Sequence, residues 1–238
     1  MLASQARDIL GKRGWLAATP EHFRIAVLAR SFPRKVRRGE AVYQRGDPAG
    51  GLWGLASGGI AIEVAPLDQG ALLGHFAGPG YWIGAAPLVT GDPRQVGLIA
   101  TRASLLLHLP IAEFEAIAAE EPQAWRWLAI LPIQQTLLAT GVAEDLMIRD
   151  PRRRLLATLL RLAALRGPFA GSEPRDIVVS QENLAAIVNL SRTAVGLMLR
   201  AFAAEDLIDQ RYNRIRILNI GAAFDLVARP TGPRPERM

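Results

Sequence analysis

Hydrophobic and polar residues follow two different periods along the chain. Up to about residue 30, and again from residue 111 to about residue 203, apolar side chains recur about every three to four positions, which predicts amphipathic helices. Between Phe32 and Pro110 the apolar runs are of strand length, and turn-forming clusters such as RGDPAGG, SGG and TGDP separate them. This spacing predicts an antiparallel β sandwich or barrel. The chain is therefore expected to be of the α+β class.

The second helical region carries an apolar stripe. We expect a helix from about Pro122 that breaks or restarts near Pro132, then a helix over 133–149, and a further helix over about 152–166. In the helix over 133–149 the apolar residues fall four positions apart, namely Ile133 and Leu137, then Leu138, Val142 and Leu146. The stripe predicts either a dimer seam or a face packed on the sheet. In the helix that follows, the leucines Leu155, Leu156, Leu159, Leu160 and Leu162 are expected to be buried.

Residues 180–203 have the pattern of two short helices joined by a tight turn. Ser180 and Ser191 each precede an apolar-periodic run and can cap a helix. Ala185 is small enough to lie where two helices cross, and Asn189 tolerates the left-handed backbone that the turn requires. This pattern is typical of a helix-turn-helix.

A basic hairpin is expected after these helices. The segment 210–218 alternates polar and apolar residues, with arginines at 211, 214 and 216, which predicts a winged helix. The alternative is a generic helical hairpin followed by a surface strand. The winged-helix interpretation predicts a set of DNA-binding residues, namely Ser180, Gln181, Ser191, Arg192, Thr193, Gly196, Arg200 and Arg214.

The distribution of charge supports a polyanionic partner for the second half. The net charge is +6, of which +1 falls on residues 1–149 and +5 on residues 150–238. A basic domain joined to a nearly neutral one is typical of nucleic-acid binding. Nearly all of the positive charge is arginine, which suits phosphate and guanine edges.

Several classes of function are disfavoured by what the sequence lacks. It has no cysteine, which excludes disulfides, thiolate metal sites and iron–sulfur clusters, and its three histidines lack metal-ligand spacing. We find no Ser-His-acid order and no phosphate loop, so we expect no catalytic residues, no metal site and no enzyme. A module that regulates a protein partner without DNA is a further alternative, which the basic second half disfavours.

No membrane association is expected either. No apolar run reaches the roughly 18 residues of a membrane span, and the first residues lack the pattern of a secretory signal. These features predict a cytoplasmic protein.

Six segments together resemble the catabolite-activator / fumarate-nitrate regulator (Crp/Fnr) family. Residues 191–196, SRTAVG, resemble the recognition-helix motif Ser-Arg-Glu-Thr-Val-Gly of that family. Residues 154–160 resemble the helix that opens its DNA-binding domain, and Asp150 falls at its hinge. Further segments resemble turns of its β roll, namely 39–47, 57–59, 79–80 and 91–94.

This resemblance implies an architecture and partners. It implies an N-terminal antiparallel β roll of the double-stranded β-helix or jelly-roll type, with flanking helices, over 1–132. A long dimerisation helix over 133–149 and a C-terminal winged helix-turn-helix over 150–238 would follow. It also implies a homodimer, double-stranded DNA with a pseudo-palindromic operator, and contacts with RNA polymerase.

The expected effector pocket departs from the family. In nucleotide-binding members a glutamate follows the glycine of the phosphate cassette and holds the ribose hydroxyl, whereas here Ala85 follows Gly84. Arg94 matches the arginine that holds the phosphate, but Gln95 follows it in place of the usual hydroxyl residue. Of the hydroxyl pair that meets the purine, only Thr140 remains.

We therefore expect that cyclic AMP does not bind. The pocket would be filled by its own side chains, with Trp82 or Gln95 as candidates, or would hold a more apolar ligand. The alternative is a cyclic-nucleotide-responsive regulator of the same architecture. No cofactor is expected, because His75 and His108, the possible haem ligands, lie in strand-like apolar runs.

The predicted recognition helix also departs from the family. Thr193 replaces a glutamate, and Leu197 replaces an arginine, that read bases in the best-known members. The target sequence should therefore differ from theirs.

Overall fold

The computed structural model describes residues 3–64, 72–168, 170, 174 and 176–228. The chain divides into two compact units, Met1–Gln135 and Thr136–Met238. Within the described residues, no single helix is long and apolar enough to cross a membrane; by length and composition alone, only the bent pair Gln181–Val188 and Arg192–Ala204 reaches that level.

The first unit begins with two helices, as the sequence predicts. They are α1, Ala3–Lys12, and α2, Glu21–Ala29, with a single 3-10 turn at Leu16–Ala18 between them. Their apolar faces bury Leu10, Phe23 and Val27.

The predicted β region is confirmed as an antiparallel roll. The strands are β1 Phe32–Val36, β2 Ala41–Tyr43, β3 Leu52–Ser57, β4 Ile60–Val64, β5 Leu72–Ala77, β6 Trp82–Ile83, β7 Gly97–Ala100 and β8 Ser104–Leu109. Among the described residues these strands form two four-stranded sheets, in the orders β1-β8-β3-β6 and β2-β7-β4-β5, and neighbours in each sheet are antiparallel. A short helix, α3 (Ala85–Thr90), lies between β6 and β7.

Strand β3, inside the first of these sheets, is buried on both faces. Residues 52–56 of β3 are all buried, which requires cover on both sides of the strand. One apolar cluster fills the roll between the sheets and includes Val42, Tyr43, Trp53, Leu55, Ile62, Leu98 and Leu106. A second cluster joins the sheet to helices and includes Trp15, Phe23, Trp82, Leu107, Phe114 and Leu128.

Two further helices follow the roll, α4 (Ile111–Glu120) and α5 (Ala124–Met147). The predicted break near Pro132 is wrong, because Pro132 lies inside the continuous α5. A proline in a helix interior costs about 3 kcal/mol, since it removes one backbone donor and crowds the preceding turn. Leu128 and Leu131, on either side of that turn, are fully buried, and each such side chain contributes about 1.5–3 kcal/mol. Packing therefore outweighs the cost of the proline.

The apolar stripe on α5 does not form one face. Leu138 is only 6% exposed and is covered by its own chain, whereas Ile133 and Leu137 are 59% and 53% exposed. Of the two interpretations of the stripe, packing within the chain applies to Leu138, and an exposed seam remains available at Ile133 and Leu137.

The second unit contains the predicted winged helix-turn-helix. Its elements are α6 (Pro151–Leu162), α7 (Gln181–Val188), α8 (Arg192–Ala204), β9 (Ile208–Arg211), β10 (Arg214–Ile217) and α9 (Ile220–Ala228). Asp150 caps α6 by accepting a hydrogen bond of 3.0 Å from the Arg153 backbone N–H. The helix ends at Leu162, before the predicted Arg166, because Ala164 takes a left-handed backbone with φ 55°. Leu162, which was expected to be buried, is only half-buried, whereas the neighbouring Arg161 is buried.

Candidate nucleic-acid interface

The helix-turn-helix has the local geometry that its sequence predicts. The Ser180 hydroxyl accepts a hydrogen bond from the Asn183 N–H, and the Ser191 hydroxyl accepts one from the Ala194 N–H, each at 3.1 Å. Asn189 is left-handed, with φ 52° and ψ 56°. The chain direction changes by 103° between α7 and α8, within the range of about 90–120° for such motifs.

Helix α8 has one buried face and one exposed face. Its buried residues are Val195, Gly196, Leu199 and Phe202. From the first residue of the helix to Arg200, the exposed positions are Arg192, Thr193, Leu197 and Arg200. The exposed face therefore combines two guanidinium groups with a hydroxyl and an apolar side chain.

Gly196 differs from the other predicted DNA-binding residues because it is buried. A Cβ atom at this position would lie 3.1 Å from Oε1 of Gln181. The glycine thus lets the first turn of α7 approach α8 closely, and its contribution to an interface is to set the position of Gln181.

The wing is a β9–β10 hairpin with exposed basic residues. Asn213 at its tip is left-handed, with φ 51°, and Tyr212 beside it is exposed. Arg214 forms an ion pair of 2.5 Å with Asp176, and Arg211 forms one of 3.0 Å with Asp209. The sequence did not indicate that Asp176 pairs with Arg214. To bind a DNA phosphate, Arg214 would have to exchange the Asp176 carboxylate for the phosphate.

A groove brings four of the eight predicted DNA-binding residues together, namely Ser180, Gln181, Arg192 and Arg214. Its volume is about 610 Å³, and it is lined by the start of α7, the start of α8 and the wing, including Ser180, Gln181, Glu182, Arg192, Tyr212 and Arg214. Thr193 and Arg200 lie on the exposed face of α8 without lining the groove. Backbone N–H groups at helix starts and guanidinium groups on one concave surface are suited to a phosphate backbone.

The charges on α8 are available to a ligand. The ion pairs of the second unit engage other arginines, namely Arg152, Arg161, Arg166, Arg211 and Arg214. Arg192 and Arg200 are exposed and have no salt-bridge partner among the residues that the structure describes.

Sequence reasoning missed a buried charge cluster that joins α5 to α6. Asp145 is buried, and its Oδ2 accepts hydrogen bonds from Arg161 Nε at 2.8 Å and from the Thr158 hydroxyl at 3.2 Å. Arg166 pairs with the other carboxylate oxygen of Asp145 and also with Glu144. Burial lowers the pKa of Arg161, and the charge of Asp145 opposes this shift. The sequence feature that could have indicated this cluster is the pair Thr158 and Arg161, two polar residues one turn apart on the leucine-rich side of α6.

In the roll, the guanidinium of Arg94 contacts residues of its own chain. It is buried, its Nη2 donates to the Gly51 carbonyl at 2.8 Å, and its guanidinium lies 4.3 Å from the centre of the Tyr43 ring. Desolvation lowers the pKa of Arg94. Gly84, with φ 112°, makes room for this arrangement, because a Cβ there would lie 2.7 Å from Arg94 Nη1 and 2.4 Å from the Gly51 oxygen.

Between the sheets, the part of the roll interior that the structure describes is closely packed. A cavity lined there by apolar side chains and Tyr81 measures about 10 Å³, which is at the limit for a single water molecule (about 10–15 Å³). Tyr43 and Trp53 belong to the same cluster. The expected fillers, Trp82 and Gln95, are wrong: Trp82 belongs to the cluster that faces the helices, and Gln95 is exposed.

The remaining predicted effector residues are satisfied locally. Ala85 is buried at the start of α3, where it offers no side-chain acceptor. The Thr140 hydroxyl is exposed and donates to the Thr136 carbonyl of its own helix at 3.0 Å.

Both histidines of the roll take part in packing. His108 stacks on Trp53, with ring centres 4.1 Å apart, and its Nε2 lies 2.6 Å from the Gly50 oxygen. Burial lowers the pKa of His108. The rings of His75 and Tyr81 lie 6.2 Å apart. Among the described residues, no group of three or more acidic, histidine or cysteine side chains is arranged to hold a metal ion.

A β roll, a long helix and a winged helix-turn-helix define a class of two-domain regulators that bind DNA. The model of the cyclic nucleotide-binding domain family matches residues 33–121, and the model of the Crp-like helix-turn-helix domain matches residues 153–222. Together they span about two thirds of the chain. The protein belongs to the Crp/Fnr family and is a Crp-like DNA-binding transcription regulator.

Individual relatives agree with this assignment. The CRP-like protein Clp of Xanthomonas campestris pv. campestris (strain B100) is 29% identical over 203 residues, which are 82% of this chain and 86% of the relative. A solved structure of CLP, described as a c-di-GMP responsive global regulator of Xanthomonas campestris, is 27% identical, with a TM-score of 0.62, and the match covers 84% of this chain and 100% of that one. FixK2 from Bradyrhizobium japonicum shares the fold, with a TM-score of 0.71 at 17% identity, over 84% of this chain and 99% of that one.

Proposed function

We propose that this protein binds a pseudo-palindromic operator as a homodimer and regulates transcription from it. The observation that carries the proposal is the exposed face of α8, where Arg192 and Arg200 lie without ion-pair partners among the described residues. Two copies would present two such helices to successive major grooves, about 34 Å apart, so the half-sites lie one helical turn apart.

Selection from random duplexes tests this function. The full chain is incubated with a duplex library at physiological salt, and the retained DNA is sequenced. We expect an inverted repeat with half-sites centred about 10 base pairs apart. Retention of DNA without any enriched sequence would contradict sequence-specific regulation.

The dimer seam is proposed at the exposed side chains of α5. Ile133 and Leu137 lie one turn apart on this helix, and exposed apolar side chains at such spacing favour helix pairing. The double variant Ile133→Glu/Leu137→Glu is expected to sediment as a monomer, because four carboxylates would meet in the apolar seam.

A matched control separates this effect from a general effect of added charge. Ile25 and Val89 are equally exposed apolar residues on other helices. The variant Ile25→Glu/Val89→Glu should sediment as a dimer, like the parent protein. A dimeric Ile133→Glu/Leu137→Glu protein would locate the interface elsewhere.

The sensor domain is proposed not to bind cyclic AMP. Support comes from the close packing of the described part of the roll interior, from Ala85 where an acceptor for the ribose hydroxyl would be needed, and from the contacts of Arg94 with Gly51 and Tyr43. A buried hydroxyl without an acceptor costs about 1–3 kcal/mol. One observation favours the alternative, a regulator that binds a cyclic nucleotide. Arg94 Nε and Nη1 are buried and have no hydrogen-bond partner among the described residues, so they could donate to an anionic ligand.

A thermal-shift titration decides between these alternatives. A ligand at about 100 times its dissociation constant stabilises by about 2.7 kcal/mol, which raises the melting temperature by a few degrees. We expect no shift of the melting temperature with millimolar cyclic AMP, cyclic GMP or c-di-GMP. The last of these is included because the similar protein CLP is described as c-di-GMP responsive. The control for unspecific anion binding is 5′-AMP. A saturable shift at micromolar cyclic nucleotide, absent with 5′-AMP, would establish the alternative.

The same proposal includes the setting in which the protein acts. It works in the cytoplasm without catalysis, and its operator-bound form contacts RNA polymerase. Transcription by the host polymerase from a template with the selected operator should change when the protein is added, and should be unaffected on a template with a scrambled operator. Equal transcription from both templates would contradict this part of the proposal.

A further inference from the structure

Leu197 lies in the middle of the exposed face of α8. It is 57% exposed, with Thr193 one turn before it and Arg200 one turn after it. Single exposed leucines are common on protein surfaces. The position of Leu197 is unusual because the surrounding exposed groups on this face are polar or charged, and because this face is the one proposed to enter the major groove.

The chemistry of base edges limits what an apolar side chain can recognise in that groove. Guanine, cytosine and adenine present hydrogen-bond donors and acceptors there, whereas thymine presents, besides O4, an apolar C5-methyl group. A leucine set against a donor or acceptor would remove it from water without replacing its hydrogen bond, which is unfavourable. Contact with the methyl group buries apolar surface on both partners.

We propose that Leu197 is a specificity-determining residue that packs on the C5-methyl group of one thymine in each half-site. This inference rests on the proposed DNA-binding function and identifies one base that the operator must contain. Leu197 is five residues from Arg192, which is about 7.5 Å along a helix. The thymine therefore lies within about two to three base pairs of the base that Arg192 reads, since base pairs are spaced about 3.4 Å apart.

The test removes the methyl group without altering any hydrogen bond. The operator is the sequence enriched by selection with the full chain, and each thymine of its half-sites is replaced in turn, on both halves, by deoxyuridine. Affinities are measured by fluorescence anisotropy for the parent protein, Leu197→Ala and Leu218→Ala. Leu218 is the matched control, because it is 55% exposed in the same unit and lies outside α8.

One deoxyuridine position should depend on Leu197. Burial of one methyl-sized group corresponds to a factor of about four in affinity, hence about 15-fold when both half-sites of the dimer are changed. We expect this loss for the parent protein and for Leu218→Ala, and a loss of less than about twofold for Leu197→Ala. An equal loss in all three proteins, or no loss at any position, overturns the inference.

A second variant tests the same contact by a gain of specificity. Leu197→Arg places a bidentate donor at this position, so the preferred base should change from thymine to guanine, by roughly 5- to 150-fold. An unchanged preference for thymine in this variant contradicts the assignment.

Failure of the inference is distinguishable from failure of the proposed function. If selection yields an operator and methyl removal has no Leu197-dependent effect, only the inference is wrong. If selection yields no enriched sequence, the DNA-binding function itself is wrong, and the inference is overturned with it. Because Leu197 is exposed, its alanine variant should retain the melting temperature of the parent protein.

Discussion

Replacement of Arg192 by alanine is expected to reduce operator affinity by about 1–3 kcal/mol in each half-site and to relax specificity at one base. Arg192 lies at the first position of α8, is exposed and lines the groove. At this end of the recognition helix a guanidinium can reach the O6 and N7 atoms of guanine together. Anisotropy titrations of the selected operator and of its single-base variants measure the change.

The wing arginine provides the comparison for this variant. Arg214 is held by Asp176 and is expected to contact phosphate, so Arg214→Ala should weaken all sequences alike. It should also reduce the slope of log affinity against log salt by about one unit. If Arg192→Ala left the base preference intact and behaved like Arg214→Ala, the reading of bases by the start of α8 would be contradicted.

The helix-turn-helix could be predicted from the sequence because its geometry is local. The caps at Ser180 and Ser191 act on N–H groups three residues away, and the turn at Asn189 depends on that residue's own backbone. Such signals lie within a few residues of one another, so that no knowledge of the rest of the fold is required. The alternation of strand-length runs and turns similarly predicted the roll.

Features that depend on distant residues were missed or mistaken. The continuity of α5 through Pro132 depends on the packing of Leu128 and Leu131, which the local pattern does not show. The sequence does not distinguish the buried from the exposed residues of the apolar stripe. Leu137 and Leu138 are identical side chains, and only the tertiary packing buries Leu138 and leaves Leu137 exposed.

The candidate effector site shows the same limit. The motif around Gly84 and Arg94 could be aligned with a known cassette, but the sequence does not show that Tyr43 lies under the guanidinium. Neither does it show which aromatic residues face into the roll, because β6 presents Trp82 to the helices and the neighbouring Ile83 to the roll.

The second large effect is expected at Asp145, whose removal should destabilise the second unit by about 3–5 kcal/mol. In Asp145→Ala the Arg161 guanidinium stays buried and loses the carboxylate that it contacts at 2.8 Å. Arg166 is less affected, because it is partly exposed and retains Glu144. Urea unfolding followed by far-ultraviolet circular dichroism, at one protein concentration, measures the loss; with a slope of about 2 kcal/mol per molar, the midpoint falls by roughly 2 M.

Two controls make this result specific. Glu144→Ala removes an exposed partner of Arg166 and should cost less than about 1 kcal/mol. The double variant Asp145→Ala/Arg161→Met should recover most of the stability, since an apolar replacement of a buried ion pair is often neutral. All five tryptophans lie within residues 15–127, so tryptophan fluorescence follows the first unit, and its midpoint should move less than the dichroism midpoint. Equal midpoints for Asp145→Ala and the parent protein by both signals would show that the cluster does not stabilise the junction of α5 and α6.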